Sequence, residues 1–375
     1  MKINIAFIIN NTNFFISHRI NIAREILKLN GEVSLFAPEI TKSEEKILND
    51  YNIKFYYLPF SRAKIRILDL LKIFILGFKI SKMDKIFHLV TIIPIIFCGI
   101  PLRLLNKKVV FAVSGLGTIF ISQAIYVRVI KYFVILIYRF LFNGKNSRLI
   151  IQNNVDYNFF KTELKIRDKN LYLIKGSGVS QFDFNYFEDL PINQSFPIIL
   201  VPARLIKEKG IYEICNASKL LLEENFPHEI WISGDIDIGN PSSLTKHEVE
   251  QISLAIPSVK FLGYQKNMKD LFKQATMVCL PSYREGLPKA LIEAAACGRP
   301  IITSNVPGCN EIVEDMKTGI LVNVKSVDDL SAAIKKLYLN KGLMEELRLN
   351  AYNKFLLEYN EEIIIKQIIN LYSSF

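Results

Sequence analysis

The chain has 375 residues, 50% of them apolar and 22% charged, with 17 Gly and 14 Pro. That length favours two domains over one, and the composition excludes a disordered, fibrous or disulfide-stapled protein. The formal net charge of +11 is uneven, with +13 on residues 1–190 and −2 on residues 191–375. Between Phe60 and Ile150, 15 basic residues face only Asp69 and Asp84.

The first residues, MKINIAFIINN, carry one Lys and a short apolar run, which predicts a strand and not a signal peptide. An amphipathic helix follows from about Ser17 to Leu29, then a strand in EVSLFAP. Wound as helices, Lys64, Lys72, Lys79 and Lys82 form one stripe and Arg128, Lys131 and Arg139 another, each beside abundant apolar surface. Such stripes suit an anionic membrane surface; the alternative is the solvated edge of ordinary core helices. Nucleic acid is a poor partner, because no recognition motif accompanies the charge. Ile86–Leu102 has no Asp, Glu, Lys or Arg, but Pro94 and Pro101 interrupt it and it is shorter than the roughly 20 residues of a membrane helix. We read it as a buried strand followed by a helix.

KKVVFAV and RLIIQN continue the strands. A second series runs through PIILVPA, a helix from about Gly210 to Leu222, HEIWISG, VKFLG, MVCLPS, RPIITS and TGILV. Helical periodicity returns near 327–338, 341–358 and 361–373. The alternation predicts two doubly wound, Rossmann-like α/β domains. We place them at 1–185 and 190–358, with a terminal helix in 359–375 packing back on the first. Ligands of open α/β sheets bind beyond the strands' carboxyl ends, so two such domains facing across a cleft would hold the chemistry there.

Five cysteines form no CxxC pair and four histidines are scattered, which predicts a reducing compartment and no metal. Cys297, among Ala294–Ala296, reads as core packing. Asp235-Ile236-Asp237 spells a DxD triplet, but it follows WISG and reads as a turn.

The most informative run is PSYREGLPKALIEAAACGRPII, Pro281–Ile302. Pro288 suits a helix start and Gly298 its far end. A helix amino end near Gly286 and Leu287 favours an anion such as a diphosphate. Glu285 and Glu293 are eight positions apart, on the order of 12 Å along a helix. That spacing suits the two ends of one nucleotide-sugar, the hexose near Glu285 and the ribose near Glu293. After PIILVPA, Arg204 and Lys209 supply a guanidinium fork and an ammonium, as a departing diphosphate requires.

VPARLIKEKG, VKFLGYQ and above all EGLPKALIE resemble the donor site of glycosyltransferase family 4, with its Glu, seven residues, Glu spacing. NTNFFISHR, HLVTIIP, SGLGTIF and KGSGVSQFDF are similar to a bacterial branch acting on lipid-linked glycan carriers. The resemblance implies the GT-B fold and α-glycosyl transfer with retention from a nucleotide-sugar, without a required metal or cofactor. It implies that Arg204 and Lys209 hold the diphosphate, that Glu285 contacts the donor sugar catalytically and that Glu293 binds the ribose. Gly286 and Leu287 would meet the phosphates, and Gly263 and Tyr264 would lie near the base. It further implies a UDP-linked N-acetylhexosamine or hexose and a polyprenyl-diphosphate-linked acceptor, in O-antigen or capsule assembly at the inner face of the cell membrane. Acceptor-side candidates are Phe15, His18, Arg19, Ser114, Gly115 and Gly117. The chain departs from the family in lacking a glycine-rich first loop and the usual histidine after the fourth strand. Two rival functions are a nucleotide-sugar 2-epimerase of the same architecture and a non-catalytic lipid- or polyanion-binding protein.

Overall fold

The computed structural model describes residues 2–59, 66–113, 125–191 and 195–375, with side chains from residue 131 onward in the helix Ile125–Phe142. The chain divides into two compact units, residues 1–177 with 362–375, and residues 178–361.

The first unit is built on seven parallel strands: β1 (Asn4–Ile8), β2 (Glu32–Ala37), β3 (Lys54–Tyr57), β4 (Ile86–Val90), β5 (Val109–Val113), β6 (Ser147–Ile151) and β7 (Leu171–Leu173), in the order β3-β2-β1-β4-β5-β6-β7. The central strands β4 and β5 are buried at every position, as expected where helices cover both faces of a parallel sheet. Ala6, Ile8, Phe87 and Leu89 point to one core and Ile5, Phe7, Ile86 and Val90 to the other. The first core is covered by helices Ile67–Ile80, Ile92–Phe97, Gly99–Leu104 and Ile125–Phe142. The second is covered by Thr12–His18, Ile20–Lys28 and Lys42–Asp50, and by the terminal helix Glu361–Ser373 through Ile364, Ile368, Leu371 and Tyr372.

The single helix predicted over Ser17–Leu29 is two helices that meet at Arg19. Arg19, at φ −129° and ψ −11°, leaves helical geometry at the junction, and its side chain is buried. The Ile86–Leu102 run is β4 followed by two short helices separated at Cys98. Among the described residues, no helix is long and apolar enough to cross a membrane.

The second unit holds six parallel strands: β8 (Ile198–Pro202), β9 (Glu229–Ser233), β10 (Val259–Gly263), β11 (Met277–Leu280), β12 (Ile301–Ser304) and β13 (Ile320–Val322), in the order β10-β9-β8-β11-β12-β13. The order reverses direction between β8 and β11, and such a switch point opens a crevice at the strands' carboxyl ends. All five cysteines are buried and unpaired.

Two buried arginines fasten the entering segment to this unit. Arg299 donates to the carbonyls of Ala275 (3.2 Å), Cys297 (3.3 Å), Phe187 (3.3 Å) and Asp189 (3.2 Å). Arg348 donates to Phe187 (2.9 Å) and Glu188 (2.6 Å). Burial, and then the neighbouring Arg348 charge, push the Arg299 pKa down to about 10. Arg299→Met removes every donor while leaving the apolar stem, and buried carbonyls without partners are costly. We expect a loss on the order of 3 kcal/mol, read from the midpoint of urea unfolding by circular dichroism; an unshifted midpoint would show that the carbonyls find other donors.

Candidate active site

The carboxyl ends of β8, β11 and β12 are brought together by backbone approaches that only glycine permits. Gly210, at φ +71°, closes the loop after β8; a Cβ there would stand 2.2 Å from the Pro281 carbonyl oxygen. Gly308, at φ +86°, follows β12; a Cβ there would stand 2.5 Å from the Gly286 carbonyl oxygen and 2.8 Å from that of Glu285. Both glycines therefore lack a side chain for two independent reasons, sign of φ and space. The Tyr283 N–H donates to the Glu208 carbonyl at 2.8 Å, tying the same two loops. The Tyr283 hydroxyl donates to Glu213 Oε1 at 2.6 Å.

Across this junction Lys209 Nζ donates to Glu285 Oε1. The side chains are only 18% and 12% exposed, so each charge depends on the other for compensation. The pair sits at the β8/β11 switch point, and both residues are ones the sequence singled out. Arg204, at the start of the same loop, turns elsewhere: Nη1 donates to Asp237 Oδ2 at 2.6 Å.

Glu285, Gly286, Leu287 and Pro288 precede the helix Lys289–Ala296, so the helix starts one residue after the proline expected at its first position. Leu287 packs against the domain core. Glu293 lies one turn into the helix with its side chain 13% exposed, and Lys289 Nζ is 3.5 Å away. Burial raises its pKa and Lys289 opposes the rise. The helix ends as expected at Gly298, φ +62°, where the Tyr186 ring occupies the space of a Cβ.

Gly263, φ +67°, ends β10 and Tyr264 follows it, two strands from β8. The Tyr264 N–H donates to Asp235 Oδ1 at 2.9 Å, and the Gly234 N–H to the Gly263 carbonyl at 3.0 Å, so the ends of β9 and β10 are joined. Asp237 makes the expected turn contacts, accepting from Asn240 Nδ2 at 3.0 Å. That these two acids also engage Tyr264 and Arg204 is invisible in the turn sequence, because the partners are 29 and 33 positions away. Gly210 and Gly308 were likewise not foreseen; a glycine following a strand was the available signal.

In the first unit the acceptor-side candidates separate. Phe15 is fully buried, edge to face with Phe7 at 5.3 Å. Arg19 is buried too, with Tyr372 and His88 contributing to its electrostatic surroundings. Burial, then the Arg19 charge, hold the His88 pKa well below the usual imidazole range, and His88 Nδ1 lies 2.5 Å from the Tyr372 hydroxyl. His18 is partly exposed, stacked on Phe14 at 4.1 Å with Nδ1 2.7 Å from Ser17 Oγ. Ser114, Gly115 and Gly117 lie outside the described residues.

Residues 182–354 match the family of glycosyl transferases group 1. That stretch contains Arg204, Lys209, Glu285 and Glu293. Over that stretch the chain carries a glycosyl transferases group 1 domain. Over 94% of each chain it is 25% identical to the N,N'-diacetylbacillosaminyl-diphospho-undecaprenol alpha-1,3-N-acetylgalactosaminyltransferase of Campylobacter jejuni. It is also 27% identical, over 48% of its length and 45% of the relative's, to the UDP-Gal:alpha-D-GlcNAc-diphosphoundecaprenol alpha-1,3-galactosyltransferase of Escherichia coli. Its fold is similar to that of a glycosyltransferase from Rickettsia africae, with TM-score 0.79 and 14% identity, covering 100% of this chain and 98% of that one. HepE of Anabaena, solved with UDP and glucose, superposes with TM-score 0.78 at 15% identity over the whole of both chains. The chain has the GT-B fold.

Gly308→Ala tests whether the loop approach positions Glu285. The added methyl must push the Glu285–Gly286 backbone away, and small misplacements at a reacting centre are costly. We expect kcat/KM for sugar transfer to fall about tenfold or more with the circular dichroism spectrum retained. An unchanged kcat/KM would show that Gly308 does not position the acid.

Proposed function

We propose that the enzyme transfers a sugar, with retention of anomeric configuration, from a UDP-linked donor onto a polyprenyl-diphosphate-linked glycan during assembly of a bacterial surface polysaccharide. The observation that carries this reading is the Lys209–Glu285 pair at the β8/β11 switch point, on a chain that aligns nearly end to end with an enzyme named for an undecaprenol-diphosphate acceptor. The likeness to HepE, solved with UDP, supports a uridine nucleotide.

In this reading the diphosphate lies at the switch point, where charge growing on the leaving group is met by Lys209 and Arg204. Glu285 then faces the anomeric carbon, and its negative charge stabilises the positive character developing there. Glu293 lies further along the same segment and accepts from the ribose hydroxyls, while Gly263 and Tyr264 border the base. The carboxylates of Asp235 and Asp237 are engaged by Tyr264 and Arg204.

The acceptor is assigned to the first domain, which carries the surface an anionic membrane would meet. On the helix Ile67–Ile80, Ile67 is 85% and Leu68 67% exposed, and Leu71, Ile75 and Phe78 are exposed as well. Lys72 and Lys79 lie among them; Lys64 lies outside the described residues, as does the Arg128 side chain. The helix Ile125–Phe142 adds exposed Tyr132, Phe133, Leu136 and Phe140. Apolar side chains with basic neighbours insert at the boundary of lipid headgroup and acyl chain, which supports a peripheral enzyme on the cytoplasmic face.

The test is nucleotide release from UDP-N-acetylhexosamines and UDP-hexoses with and without an undecaprenyl-diphosphate-linked sugar. We expect release and an extended lipid-linked product only when both substrates are present. Release without acceptor, yielding a free epimerised sugar, would establish the epimerase instead. Glu285→Ala should lower kcat by at least about a hundredfold, whereas Arg204→Ala should chiefly raise the donor KM.

The membrane face is checked by flotation with phosphatidylglycerol-containing vesicles. Replacing Ile67, Leu68 and Leu71 together by Ser should weaken binding by tenfold or more, since each buried side chain contributes about 1.5 kcal/mol or above. Equal flotation of both proteins would remove this helix from the interface.

A further inference from the structure

Arg204 and Lys209 leave one loop five positions apart, yet acids on opposite sides of β8 hold them. Lys209 pairs with Glu285, which follows β11. Arg204 pairs with Asp237, which follows β9, on the other flank of β8. Neighbouring strands are about 4.8 Å apart, so β9 and β11 are separated by roughly 10 Å across β8. A diphosphate at the β8/β11 switch point needs both cations turned to the same side.

The two members of the Arg204–Asp237 pair differ in how firmly they are held. The Asp237 side chain is 15% exposed and that of Arg204 52%. Asp237 Oδ2 also accepts from Asn240 Nδ2 at 3.0 Å, and the Asp237 N–H donates to Ser243 Oγ at 2.9 Å. The acid is therefore the fixed member, and the guanidinium, on its long half-exposed stem, is the one that moves.

We propose that Asp237 is a positioning residue that parks Arg204 on the β9 side of the site, and that a nucleoside diphosphate binds by taking Arg204 from it. Guanidinium N–H groups pass from the Asp237 carboxylate to phosphate oxygens, and Asp237 recovers them when the nucleotide leaves. The Arg204–Asp237 and Lys209–Glu285 pairs leave the site closer to neutral than its basic residues alone suggest. This inference rests on the proposed donor reading, in which Arg204 meets the diphosphate. Partly exposed ion pairs of this kind bias a side chain by about two- to fivefold, enough to tune donor affinity and product release without blocking either.

The experiment is calorimetric titration of UDP and of GDP into the full chain, as wild type, Asp237→Asn, Arg204→Ala and the double variant. Asn at 237 keeps an acceptor for Asn240 and removes the charge that holds Arg204. We expect Asp237→Asn to bind the nucleotide about two- to fivefold tighter, Arg204→Ala to bind weaker, and the Asp237 change to have no effect once Arg204 is absent. A gain in affinity is an outcome that a damaged fold does not produce. Unchanged or weaker binding by Asp237→Asn overturns the proposal, as does equal tightening in the Arg204→Ala background, which would be a general effect of the lost charge. If Arg204→Ala binds as wild type does, or wild type binds neither nucleotide, the donor reading fails at Arg204 and this inference with it.

Discussion

An ammonium and a carboxylate, mostly withdrawn from water, face each other where the sheet of the second domain changes direction. Withdrawn charges of that kind persist only in pairs, and this pair joins loops that belong to different strands. Much of the surrounding architecture can be understood as what the pairing requires. Gly210 and Gly308 let the backbones approach, Tyr283 and Glu208 exchange a main-chain hydrogen bond, and the helix after Pro288 begins where Glu285 has already been presented. The pair thus sits within a set of satisfied bonds that hold the loops after β8 and β11 together.

The parallel α/β character of both domains was legible because strands buried on both faces are continuous apolar runs, as in IFHLV and VVFAV. The strands at the margins were not: KFYY of β3 is largely exposed and LYL of β7 has three residues, so neither leaves an apolar signature. Glu285, Glu293, Arg204 and Lys209 stood out through their local spacing. The partners that orient Arg204 and Tyr264 did not, because nothing in a turn sequence reports which distant backbone atom its carboxylate will meet. Asp235 and Asp237 looked like ordinary turn residues, and Asp237 does form the turn while also gripping the guanidinium.

Arg19 shows the opposite failure. Next to a histidine at the start of an amphipathic segment, it looked available to a ligand. It is buried at the junction of two helices, close enough to His88 and Tyr372 to shift their proton equilibria. A buried guanidinium beside an imidazole held neutral is a polar inclusion in an otherwise apolar core, made possible by a helix from the far end of the chain.

That returning helix also bears on synthesis of the chain. Residues 362–375 complete the hydrophobic layer over the sheet that begins at Asn4. A ribosome delivers them only after all of residues 178–361 have emerged. The amino-terminal domain therefore waits with part of one apolar face uncovered while its neighbour is synthesised.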